Sequence, residues 1–410
     1  HLLLGNRDIN KMRLPAELSE EAMAADIDSV LAPSFLKAAR SGPLAVGYKS
    51  FLRIASGFQP GVHDPLACVP AHWRDEAAAL LRANTPANRL AWILKFTMGA
   101  PMALRGRQAE LRAMGLPHQK DDVVASYLKS VRPGGVAYEY LNQAQVVAVL
   151  GDTLFVHGAV PSMACVQAFA GIGEPHCASE GFEGVDVHEW SRRLNFWAKQ
   201  EIQSWQADPV AYAKGGMELV RYAAAGHPYS VVYADWLDSV TRRPAQPFRL
   251  DPAVLRFLRR SGIRRVVCGH QPYGDAPLVL KHPLAPIGAL PADSRPGGVC
   301  IVVADTMYSD PGAEDRRGVA VSEVCIDVGQ HSSTCSIRGV LRDGTVHGCG
   351  VEDDALVGQV FDQGACVSRV DGGASQEYVL VQREEVGLGV ITRRASAHEL
   401  LQQLDQPKAA

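Results

Sequence analysis

The chain has 410 residues, 47% hydrophobic and 21% charged, which is enough apolar content for a sizeable core and excludes a disordered, collagen-like or extended coiled-coil protein. Lysine and arginine total 41 against 44 acidic residues, a formal charge of −3, so the overall balance calls for neither nucleic acid nor an anionic membrane as partner. No uninterrupted apolar run is long enough to span a bilayer, and no basic start leads into a signal-peptide core, so a soluble protein is expected.

His1 leads directly into Leu2-Leu3-Leu4-Gly5-Asn6, which reads as the end of a buried strand followed by a loop. A domain seldom starts on a fully apolar strand, so the sequence is expected to begin inside a fold whose upstream strands share the same sheet. Residues from about 12 to 140 carry helical signals: Leu18, Ala22, Ile27, Val30 and Leu31 recur at helical spacing. Thr85-Pro86 is a cap with proline in the first turn, and Asp122 is a cap for the segment carrying Val123, Val124, Tyr127, Leu128 and Val131. This stretch reads as a helical insert.

After Pro133-Gly134-Gly135 short β-type runs begin, Val146 to Leu150 and Thr153 to Val156, joined by the tight pair Gly151-Asp152. Trp190, Leu194, Trp197, Ile202 and Trp205 mark an amphipathic helix with a core-facing aromatic stripe. Asp251-Pro252 starts another helix, stopped by Gly262 before a strand from Ile263 to Cys268; a further strand runs from Val299 to Ala304. Beyond Pro311 the sequence turns to alternating segments and glycine turns: Ser322 to Val328, Ser336 to Leu341, Val357 to Phe361 and Tyr378 to Gln382, with Asp371-Gly372-Gly373 as a turn and Ala397 to Leu404 as a closing helix. The expected organisation is a core over residues 1–312, containing the insert, and a β-rich extension over 313–410.

Nine cysteines are scattered without a C-x-x-C pair, which argues against a disulfide framework or structural zinc site and favours a reducing, cytoplasm-like compartment. Three polar residues, Asn6, His157 and His270, stand next to glycines where strands should end, positions that project side chains from the carboxyl edge of a sheet. One amide oxygen and two imidazoles suit a divalent ion such as zinc, iron or manganese. The structural alternative is that each histidine is a satisfied packing group.

Leu-Gly-Asn-Arg-Asp at 4–8, Leu-Phe-Val-His-Gly at 154–158 and Val-Cys-Gly-His-Gln at 267–271 occur in the order of the third, fourth and fifth signatures of calcineurin-like metallophosphoesterases. The chain resembles this superfamily, and within it the phosphoprotein-phosphatase and dinucleoside-polyphosphate hydrolase branches, which have one histidine in the last motif. Val303-Ala304-Asp305-Thr306 resembles the strand that follows.

The resemblance implies an α/β fold, a metallophosphoesterase-type β-sandwich flanked by helices. It also implies a centre of two divalent metal ions (Mn, Fe or Zn), in which Asn6, His157 and His270 ligate the second ion. The signatures that supply the first ion and the bridging carboxylate, Asp-x-His and Gly-Asp-x-x-Asp, lie upstream of the asparagine motif in that superfamily and are not found before Asn6 here, so a polypeptide starting at His1 is expected to bind metal weakly and to turn over little. The implied reaction is hydrolysis of a phosphate monoester or anhydride by metal-activated water, on a phosphoprotein, nucleotide or small phosphometabolite.

Arg7 stands where many members have the leaving-group histidine, with Asp8 in the place of the acid that orients it. Arginine keeps its charge at neutral pH and suits a phosphate clamp better than an acid. The competing reading is a phosphate-binding or scaffold protein that keeps the fold without the activity. Arg242 and Arg243 are further clamp candidates against a solvated pair. Arg256, Arg259, Arg260, Arg264 and Arg265 read as a solvated face, with steering of an anionic substrate as the alternative. His227 is expected to cap or pack and Asp152 to serve hairpin geometry, while Asp305 is a candidate support for His270.

Overall fold

The computed structural model describes residues 1–30, 47–57, 76–169, 185–236, 251–274, 276–281, 298–306, 321–329, 333–341, 343–361, 365–371, 377–383 and 390–405. It is mixed α/β with two β-sheets. The first sheet comprises β1 (Val147–Leu150), β2 (Thr153–Val156), β3 (Arg265–Cys268), β4 (Leu278–Lys281) and β5 (Cys300–Val303), in the order β1-β2-β3-β5-β4. Its centre is parallel, β2 to β3 to β5, and both outer pairs are antiparallel. The second sheet contains β6 (Val321–Val328), β7 (Ser333–Val340), β8 (Val346–Gly350), β9 (Cys366–Asp371), β10 (Glu377–Arg383) and β11 (Val390–Ala395), in reverse sequence order and antiparallel throughout.

Side chains alternate across a strand, so a sheet covered on both faces shows two apolar sets. Val266 and Cys268 of β3, with Ile301 and Val303 of β5, join the core under the helices. Val279, Cys300 and Val302 face the other way and join Cys335, Ile337, Val351, Val367 and Leu380 of the β-rich region. The second sheet is therefore a packed layer on the first, and the expected division at 312–313 lies outside the described residues. Arg265, expected on a solvated face, is instead buried between the two layers. It donates to Thr153 Oγ1 (2.9 Å), Ser333 Oγ (3.2 Å) and Glu352 Oε1 (Nε, 3.0 Å). Asp152 contributes more than hairpin geometry, because its carboxylate accepts from Ser333 Oγ at 2.7 Å.

The helical expectation for 12–140 holds over the described residues. Thr85 Oγ1 accepts from Asn88 N–H (3.2 Å) at the start of the helix Pro86–Trp92, which continues as a π-turn, Ile93–Thr97. Asp122 is not the cap itself: it is the third residue of the helix Lys120–Ser130 and accepts from Gln119 N–H at 2.7 Å. The helix Val187–Ala207 buries Trp190, Leu194, Ile202 and Trp205, as its stripe indicates. The helix Pro252–Arg260 is capped by Asp251 and followed by Gly262 at φ +80°. Among the described residues no helix is long and apolar enough to cross a membrane.

At the amino end, the expected strand and loop are replaced. Leu3 makes only a parallel bridge to Gln145, and Asn6 opens a helix, Asn6–Asn10, directly after Gly5. A glycine followed three residues later by aspartate explains this, because Asp8 Oδ2 accepts the otherwise orphaned Gly5 N–H at 3.0 Å. β4, β8, β9 and β11 were not expected from the sequence, and Val357 to Phe361 makes a single bridge, Val360 to Cys366, in place of a strand.

Candidate functional site

Strands β2 and β3 are parallel and in register, Leu154 with Val266 and Phe155 with Val267, so the residues just beyond their carboxyl ends emerge side by side. Those residues are His157 and His270. Their ring centroids are 5.3 Å apart at an interplanar angle of 66°. Gly269 N–H donates to His157 O (2.9 Å), which fixes the spacing of the two turns. His270 adopts φ +75°, a left-handed conformation that a β-carbon disfavours.

Asn6 reaches the same place from the short helix. Its Oδ1 lies 3.0 Å from His157 Nε2. The helix is held from beneath: Asn10 Nδ2 donates to Asn6 O (2.7 Å), and the buried Arg13 guanidinium donates to Asn10 Oδ1 (3.0 Å) and Thr97 Oγ1 (3.2 Å). Trp205 Nε1 and Tyr212 Oη both donate to Met12 O, at 2.9 and 2.7 Å. Gly5 is required by contact rather than by torsion. A β-carbon there would stand 2.9 Å from both Cε1 and Nδ1 of His157.

The sequence thus names three residues that the fold brings together. Arg7 and Asp8 lie on the adjoining face of the helix. Arg7 is exposed and donates to Gly99 O at 2.9 Å, which ties the loop after the π-turn to the site. Asp8 was expected to orient Arg7; its carboxylate accepts from Gly5 N–H and pairs with Lys11 Nζ at 3.2 Å. Arg242 and Arg243 lie outside the described residues. His227 meets the rings of Tyr222 and Tyr229 edge-on, consistent with a packing role.

Burial lowers the pKa of His157, opposed by the charges of Asp8 and Asp305 and reinforced by Arg7. His270 is pushed down to about 3 by burial first, then by His157 and Arg7, against a hydrogen bond to the backbone of Tyr233. Both shifts favour the neutral rings. Asp305, expected behind His270, is near enough to His157 for its charge to favour that ring's protonated form.

Tyr233 is the neighbour that sequence reading missed. Its ring meets that of His270 edge-on, with centroids 4.8 Å apart. The segment arrives through Gly158, whose N–H donates to Val231 O (3.0 Å) and whose missing β-carbon leaves room for Ala234 O. Asp235 also lies near the centre: burial raises the Cys268 thiol, and the charges of Asp235 and Asp305 raise it further. The available signal was the apolar run Val231-Val232 leading into polar residues, which marks a strand end in general and no site in particular.

Among the described residues no group of three or more His, Cys, Asp and Glu side chains is arranged to hold a metal ion; the set here has two histidines and an amide as third donor. No protein-family model, curated protein or solved structure matches the chain.

Proposed function

We propose that Asn6, His157 and His270 are ligands in the centre of a metal-dependent phosphoesterase, within a metallophosphoesterase-type sandwich formed by the two sheets. The observation that carries this reading is the meeting of Asn6 Oδ1 and His157 Nε2 at 3.0 Å beside the His270 ring, from three distant parts of the chain. The donor set fits a divalent ion, manganese, iron or zinc, because imidazole nitrogen and amide oxygen are both lone-pair donors that need not ionise. Divalent ions at such a centre, two in this reading, acidify water and neutralise charge on phosphoryl oxygens.

The chain's own residues set the geometry. Gly269 spaces the two histidine turns, the backbone of Tyr233 supports the His270 ring, and Gly5 lets His157 lie against the start of the helix. Arg7 stands at the rim as a fixed positive charge able to hold a phosphate oxygen.

Hydrolysis of an aryl phosphate by the full-length protein with manganese tests the reading, alongside manganese affinity. His157→Ala and His270→Ala are each expected to lower both by at least about a hundredfold. Equal rates and affinities in wild type and variants would remove these residues from the centre. Arg7 in the place of the leaving-group histidine favours a second reading, a phosphate-binding or scaffold protein without turnover. That reading predicts that inorganic phosphate binds while no aryl phosphate is consumed.

A further inference from the structure

Beside the helix that carries Asn6, a cavity of about 340 Å³ opens between that helix and the helices Ala103–Ala113, Lys120–Ser130 and Val136–Gln143. Its polar lining is Asp8, Lys11, Arg107, Glu110, Ser126 and Ser130. Two carboxylates cancel two cations, already paired as Lys11 with Asp8 (3.2 Å) and Arg107 with Glu110 (2.7 Å). A second anion entering there would gain no net charge and would face both carboxylates. Neutral hydroxyls have no such conflict, since each can donate to a carboxylate lone pair and accept from an ammonium or guanidinium. The remaining wall is apolar or aromatic, from Leu141, Val136 and the rings of Tyr127 and Tyr140, which suits the C–H face of a sugar. The volume is that of a small-metabolite site.

Asp8 belongs to this wall and stands two residues from Asn6 on one helix, with Arg7 between them. We propose that the cavity binds a neutral, hydroxyl-rich group of sugar size, and that this group is the leaving group of the ester cleaved at the neighbouring centre. The binding assignment stands on the cavity alone; the leaving-group role rests on the phosphoesterase reading. In that reaction the oxygen of water bonds to phosphorus, the bond from phosphorus to the sugar oxygen breaks, and one proton of the water ends on the sugar oxygen.

Binding of free glucose and free ribose to the full-length protein, followed by saturation-transfer NMR, tests the first part. Ala137→Trp fills the cavity and Glu110→Gln removes an acceptor at a half-exposed position; circular dichroism checks that each variant is folded. At least one of the two sugars is expected to bind, about tenfold more weakly in either variant. Absence of binding, or binding that neither variant changes, overturns the site. For the second part, KM for the corresponding sugar phosphate is expected to rise about tenfold in the variants, and a KM that neither variant changes ends the leaving-group role. Sugar binding without hydrolysis of either phosphate ends the leaving-group role and the phosphoesterase reading but keeps the site. Hydrolysis of the aryl phosphate together with a phosphopeptide, with the sugar phosphate ignored, ends the leaving-group role alone.

Discussion

Arg265 Nε donates to Glu352 Oε1 at 3.0 Å, joining the first residue of β3 to the turn that follows β8 in the other sheet. The guanidinium is buried, whereas the Glu352 side chain is 36% exposed, so the two partners are not equivalent. Glu352→Ala leaves a charge in the interlayer space and also removes the acceptor of Cys335 N–H. It is expected to cost about 3 kcal/mol by urea unfolding, and more than the paired replacement Arg265→Met with Glu352→Leu, which removes both charges. A Glu352→Ala protein as stable as wild type would mean that the network does not hold the layers together.

Much of this arrangement was legible in the sequence where local signals agree with the final packing. Thr85-Pro86, Asp251-Pro252 and the pair Gly151-Asp152 each carry their geometry within a few residues, and the tryptophan stripe fixes a helix face. The meeting of Asn6, His157 and His270 was legible because glycines beside them mark sharp turns, after strands for the two histidines and, as the structure shows, at a helix start for Asn6. Arg265 was misplaced because a charge in a basic run reads as solvated, and only the partner Glu352, 87 residues on, reverses that. Tyr233 was missed for a similar reason: it reaches His270 through a loop contact with Gly158 that no periodicity encodes.

Gly5→Ala tests how closely the helix start is fitted to His157. The backbone there, φ −98° and ψ 167°, is open to any residue, so the substitution acts through the ring contacts at 2.9 Å. The ring must move or the helix must retreat, at an expected cost of about 1–3 kcal/mol. Loss of the Asn6–His157 hydrogen bond would be read as a shifted His157 ring resonance in NMR. An unchanged resonance at unchanged stability would contradict the geometry.

The charges on the helix set the histidine titrations in opposite directions. Arg7 lowers both rings, so Arg7→Met is expected to raise the pKa of His157 and of His270. Asp8 raises His157, so Asp8→Asn lowers it further. Ring-proton NMR titration measures each directly. Shifts of the opposite sign would place these charges elsewhere.

Burial gives the interlayer thiols a stability signature in alkali. Cys335 and Cys349 are pushed up to about 11, and Cys300 and Cys366 to about 12, from an ordinary value of 9.0. A raised thiol pKa favours the protonated folded form. Its contribution is complete below pH 9 and is lost as pH rises toward 11 and 12, because the unfolded chain releases its protons first. Urea midpoints should therefore fall between about pH 8 and about pH 10.5, less steeply in Cys335→Ala than in wild type. A pH-independent midpoint over that range would exclude buried, protonated thiols.

His270 combines a site position with backbone strain, at φ +75° on a residue with a β-carbon. Strain of this kind persists where the surroundings hold it, here the Gly269–His157 backbone bond on one side and Tyr233 on the other. Alanine and glycine both remove the imidazole, but only glycine removes the penalty. His270→Gly is therefore expected to be more stable than His270→Ala by about 1 kcal/mol, while under the proposed metal-centre reading both variants lose manganese affinity alike. Thermal or urea unfolding of the two variants measures the difference, and an alanine variant at least as stable as glycine would show that this turn relaxes once the ring is gone.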